Sequence, residues 1–223
     1  MSELAFGAGP LSRAAATVHN LLVVEALLVV TTLPGLVALL LDRTVGNLPL
    51  VALCALPVGP ALSAALYALH HRGSDLTELR PAAAFRRGYR LNARGALLVW
   101  AFWLGWITVL AVNLANLGAA GLPGWWVAPS LLVGAAATVW MLNALVITSL
   151  FAFRTRDVAR LAAYLVIRTP GVSLGNCCLV IVVLGGVLAS SEAVVALAGS
   201  VLVLALLHNS RRLIAVVRKE FTR

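Results

Sequence analysis

The chain has 223 residues, of which 61% are hydrophobic and 11% charged, with a mean hydropathy of +0.99. A soluble domain carries about 25% charged residues and about half apolar ones, so this composition excludes an ordinary soluble fold and points to an integral membrane protein. In a soluble protein the net charge of +9 would suggest nucleic acid; here it reports which membrane face holds the basic loops, and no nucleic-acid partner is expected.

A membrane-crossing helix needs roughly 20 apolar residues. Six stretches approach that length: 20–41, 48–69, 96–117, 125–151, 172–189 and 193–207. The last pair is the weakest, and the alternative there is one span plus a re-entrant segment broken at "ASSE". The N-terminal "MSELAFGAGPLSR" lacks the basic start, short apolar core and cleavage site of a signal peptide. The expected fold is all-α, a single polytopic helical domain of about six spans in the bacterial cytoplasmic membrane.

The connectors set the orientation. The stretches 1–19, 70–95, 152–171 and 208–223 hold 16 of the 17 basic residues, and the intervening turns hold only Arg43. By the positive-inside rule both termini are expected to be cytoplasmic. His70, His71 and Arg72 then mark where the second span meets the cytoplasmic headgroups, and Trp125 and Trp126 mark the opposite interface.

Within the first span Glu25 is an expensive group to place in hydrocarbon, so a partner or water is expected beside it. At about 1.5 Å per residue, Glu25, Asn143 and Asn176 lie roughly 18, 16 and 12 Å from Arg13, Arg154 and Arg168. This similar depth makes them a candidate buried polar cluster: a solute or proton site, or structural glue. In the second span, "ALPVGPALSAALYALHHRG" carries Pro57, Gly59 and Pro60. Such breaks survive in a membrane only where protein or a water-filled cavity satisfies the freed carbonyls. This break is expected to face the interior, as a packing device or a hinge, with Ala61, Ala64, Ala65 and Ala68 as a small-residue face.

The basic loops read as short amphipathic helices on the membrane surface. Arg86, Arg90 and Arg94 recur every four residues beside Phe85 and Tyr89, and Val158, Leu161, Ala162 and Leu165 form one apolar face. The arginine face suits lipid headgroups or a cytoplasmic partner. "AFR" at 84–86 and 152–154 hints at a three-plus-three repeat. Trp100, Trp103 and Trp106 read as a lipid-facing stripe, and Asn113 and Asn116 as interfacial. Cys54, Cys177 and Cys178 read as apolar filler. The histidines His19, His70, His71 and His208 give no metal-ligand spacing, and no phosphate loop, dinucleotide fingerprint or protease motif occurs. No enzyme activity, metal or cofactor is expected.

The order "HNLLVVEALLVVTTLPGL" (19–36), "ALPVGPALSAAL" (55–66) and "AFRRGYRLNARGALLVW" (84–100) resembles the YesL family of bacterial membrane proteins. The matching positions are Asn20, Leu21, Leu22, Pro57, Gly59, Pro60, Ala61, Ala65, Leu66, Phe85, Tyr89 and Asn92. Val23 stands where the family usually has an aromatic, and beyond residue 100 only hydropathy and the basic loop correspond. The resemblance implies an accessory or scaffold protein associated with carbohydrate ABC-type uptake, with the bilayer and an ABC transporter or another membrane or cytoplasmic protein as partners; homo-oligomerisation stays open. It supplies no catalytic residues. The alternative is a small solute-binding carrier resembling the substrate-binding subunit of a vitamin importer.

Overall fold

The computed structural model describes residues 10–41, 48–71, 80–121, 123–190 and 192–221. Ten α-helices and one 3₁₀ turn lie among them, and no strand: α1 (Pro10–Leu41), α2 (Leu48–Cys54), α3 (Val58–His70), α4 (Pro81–Ala115), the 3₁₀ turn Gly124–Trp126, α5 (Val127–Leu150), α6 (Thr155–Arg168), α7 (Pro170–Ala189), α8 (Glu192–Ala196), α9 (Gly199–Asn209) and α10 (Arg211–Phe221). Five helical segments are long and apolar enough to cross a membrane, and a sixth crossing requires the α9–α10 pair, which bends by 51°.

The centre of the bundle is α3, which packs against α1, α4, α5 and α9. Its small residues make this possible. Ala61, Ala64 and Ala65 are fully buried and Ala68 nearly so, and backbones approach closely where side chains are short. A β-carbon on Gly59 would collide with the Cβ and Cγ of Trp100 on α4, and one on Gly88 of α4 would lie 2.6 Å from Tyr67 Cβ on α3. Each helix therefore gives the other a glycine seat.

The 48–69 stretch is one membrane-length segment, Leu48–His70, made of two helices, α2 and α3, joined by a turn at Ala55–Pro57, as the expected proline break requires, because neither Pro57 nor Pro60 has an N–H to continue the ladder. Three sequence expectations change. The 82–94 region is no separate surface helix but the start of α4, which runs for 35 residues. That is about 52 Å at ~1.5 Å per residue against a hydrocarbon core of about 30 Å, so one end projects well beyond the apolar layer. After Pro81 no proline interrupts it, and Leu, Ala and Arg are good helix formers.

The 193–207 span is divided into α8 and α9 at residues 197–198. The 11 residues of α9 rise only about 16 Å, too short to cross alone. The expected lipid-facing tryptophan stripe also changes. Successive third positions on a helix rotate by roughly 60°, so Trp100 is buried, Trp103 half-buried and only Trp106 exposed.

The basic 152–171 connector does form an amphipathic helix, α6. Its Val158, Ala162 and Leu165 are buried against the bundle, and Trp140 of α5 donates its indole N–H to Ala159 O at 3.0 Å. The apolar face is thus spent on protein contacts rather than on lipid. The same holds for α10, where Leu213, Ile214 and Val217 are buried and Arg211, Arg212 and Lys219 exposed. The two "AFR" sequences differ in local structure. Residues 84–86 are helical, whereas 152–154 are non-helical and Arg154 is extended.

Candidate functional site: a sealed amide ladder, a clasped carboxylate and an apolar groove

Proline-induced breaks leave carbonyls to be satisfied. At the α2–α3 turn, Ala55 O accepts from Val58 N at 3.1 Å and from Trp100 Nε1 at 2.9 Å. Trp100 stands directly over Gly59, so one indole both fills the glycine seat and caps the freed carbonyl. Gly59 and Pro60 are buried and Pro57 half-buried. This break is closed by protein, not by a water-filled cavity.

Asn143 of α5 and Asn176 of α7 are both 0% exposed. Asn176 Nδ2 donates to Asn143 Oδ1 at 3.0 Å, and Asn209 Nδ2 of α9 donates to Asn176 Oδ1 at 2.8 Å and to Val172 O at 2.9 Å. Three helices are thereby stitched by a ladder of amides. Gly175 makes room for it, since a β-carbon there would strike the Asn209 amide. The ladder ends unsatisfied: Asn143 Nδ2 is buried without a hydrogen-bond partner among the described residues. Asn209 was not anticipated from the sequence. It follows the last apolar run in "LLHNSRR" and looks there like an interfacial residue.

Glu25 is not part of this ladder. Its Oε2 accepts the backbone N–H of Ser200 at 2.5 Å, while its Oε1 is buried without a hydrogen-bond partner among the described residues. In an unbroken helix the Ser200 N–H would bond to residue 196. The carboxylate takes that donor instead, at the first turn of α9, where the partial positive charge of the helix end favours an anion. Equal depth along separate helices did not bring the three residues to one point, because the azimuth of each side chain is set by helix rotation.

A second polar seam runs nearer the basic end. Ser149 Oγ donates to Leu145 O at 2.6 Å and lies 2.9 Å from Ser63 Oγ, and Asn92 Nδ2 donates to Ser149 O at 3.1 Å. Several residues that carry the family resemblance therefore serve packing here: Asn20, Gly59, Pro60, Ala61, Ala65, Leu66 and Phe85 are buried, and Asn92 ties α4 to the end of α5.

The arginines Arg86, Arg90 and Arg94 are exposed in the N-terminal part of α4. Leu91, Leu98 and Phe102 are exposed on the same helix. His70 and His71 lie edge to face, His71 stacks on Tyr67, and its Nδ1 is 3.0 Å from Tyr67 O. No group of three or more metal-binding side chains occurs among the described residues.

Between α3, α4, α5, α7 and α8–α9 lies a groove of about 700 Å³. Among the described residues, its only lining side chains with an N–H or O–H are Trp103, Thr138 and Ser130. All three are spent: Trp103 Nε1 donates to Thr138 Oγ1 at 3.2 Å, Thr138 to Gly134 O at 2.8 Å and Ser130 to Trp126 O at 2.8 Å. The fold and site define an all-helical protein with five, or with the bent pair six, potential membrane crossings. Compared with family models, curated proteins and solved structures, the chain finds no match in any of the three.

Proposed function

We propose that this chain is an accessory or scaffold membrane protein of the bacterial cytoplasmic membrane, with both termini cytoplasmic, associated with carbohydrate ABC-type uptake. The observation that carries the scaffold reading is the sealed amide ladder. A carrier for a sugar or vitamin needs hydrogen-bonding groups that face an accessible cavity. Here Asn143 and Asn176 are wholly buried, and the groove offers no unspent side-chain donor among the described residues. The exposed chemistry lies at the basic end, on α4, α6 and α10, where Arg86, Arg90, Arg94, Arg156, Arg160, Arg211 and Arg212 are exposed and suit anionic headgroups or an acidic partner. The link to carbohydrate uptake rests on the resemblance of residues 13–100 to YesL proteins, and YesL membership is itself part of this proposal.

Affinity capture from native membranes tests the reading. The full chain is expected to co-purify a transporter subunit, and a variant with Arg86, Arg90 and Arg94 changed to Lys is expected to fold yet lose it, because the planar fork that grips carboxylates is gone. Capture of no membrane or cytoplasmic protein, or saturable sugar or vitamin binding by the isolated chain, would replace this reading with the carrier.

A further inference from the structure

Glu25 and the apolar groove meet at one residue. Gly199 lines the groove, and a β-carbon on it would lie 3.4 Å from Glu25 Oε1 and 3.8 Å from Oε2. Gly199 thus touches the groove and also lies beside the Glu25 carboxylate, with Leu28 Cδ1 equally near that β-carbon at 3.4 Å. One oxygen of that carboxylate holds Ser200 N–H; the other is buried and unpartnered among the described residues. An anion with an unspent oxygen in a medium of low dielectric is stabilised strongly by a nearby positive charge.

The groove limits what can bring that charge. Its own polar groups are already bonded to one another or to backbone, so a strongly hydrated cation such as an ammonium with its water shell would lose its hydrogen bonds on entry. A cation whose charge is spread and shielded by apolar groups loses none. Trp103 supplies an aromatic ring to the lining, and indole attracts such cations through its electron-rich face. The volume of about 700 Å³ falls within the range of about 300–1,000 Å³ typical for small-molecule sites.

We propose that the groove is a binding site for a lipophilic monocation, with Glu25, beside Gly199, as its counter-charge. Charge complementarity selects this occupant over a neutral hydrocarbon chain. The site is independent of the scaffold reading, since it needs no partner protein.

Tetraphenylphosphonium is the probe, measured by equilibrium dialysis against the purified full chain in neutral detergent. Saturable binding is expected, weaker by about tenfold to a hundredfold in Glu25→Gln, with tetraphenylborate, of like shape and opposite charge, bound far less. Ala135→Trp is expected to abolish binding while the protein stays folded, because Ala135 lines the groove and is exposed. Equal affinity in Glu25→Gln, equal binding of the borate, or no saturable binding of the phosphonium would overturn the proposal and leave a hydrocarbon-filled groove. If Glu25→Gln does not fold, the comparison of phosphonium with borate on the parent chain decides.

Discussion

Replacing Asn176 by alanine breaks the middle rung of the amide ladder. Two interhelical hydrogen bonds go, to Asn143 at 3.0 Å and from Asn209 at 2.8 Å. Such bonds between membrane helices average ~0.6 kcal/mol and reach ~1.7, so the pair contributes about 1–3 kcal/mol. Asn143, already without a partner for its Nδ2, also loses the donor to its Oδ1 and becomes a buried amide with neither end satisfied, which costs a further ~1–3 kcal/mol. Asn209 keeps Val172 O and adds little. The expected loss is about 2–6 kcal/mol.

The control is Asn143→Leu. It removes one hydrogen bond and the unsatisfied Asn143 donor but orphans the buried Asn176 Nδ2 in its place, so the number of unpaired donors is unchanged and a loss of about 1–2 kcal/mol is expected. Reversible unfolding by SDS in mixed micelles, followed by far-UV circular dichroism, measures both. If Asn143→Leu proved as damaging as Asn176→Ala, the buried Asn143 amide would have a partner that this geometry does not assign it, and the ladder reasoning would be refuted.

At the α3–α4 crossing, Gly59→Ala and Gly88→Ala are each expected to lower stability by about 1–3 kcal/mol, because the new methyl meets Trp100 or Tyr67 near the backbone end of its side chain; thermal melts in detergent within a degree of the parent for both would mean the helices are less tightly seated. Trp100→Phe keeps an aromatic ring but deprives Ala55 O of its indole donor, leaving only the bond from Val58, and a loss of about 0.6–2 kcal/mol is expected from the same melts. Glu25→Gln retains an oxygen that can accept the Ser200 N–H and should preserve the fold. Glu25→Lys sets a cation and a donor against the start of α9 and should cost roughly 2–4 kcal/mol; gel filtration that tolerates both alike would show the side chain reaching water. Single cysteines at Ala120 and Thr155 should label from opposite faces of the membrane, and labelling from one face would remove the alternation on which the orientation rests.

Composition and hydropathy were enough to establish an all-helical, membrane-compatible chain, because the requirement that every backbone group be bonded in hydrocarbon leaves few architectures. Charge placement was likewise readable along the chain, as was the break at Pro57–Pro60, since proline removes a donor wherever it stands. What the sequence could not convey was the identity of the partner at each special residue. Glu25, Asn143 and Asn176 share a depth, yet only the asparagines meet, and Asn209 completes their ladder from a position that reads as an interfacial tail. Trp100 looks lipid-facing by its spacing, yet it caps Ala55 O because Gly59 leaves an opening at its level. The Ser200 N–H goes to Glu25, 175 residues away in the chain. Depth is a one-dimensional quantity that hydropathy and charge record locally. Azimuth and helix–helix proximity depend on which small residues let which backbones approach, and only the assembled bundle decides that.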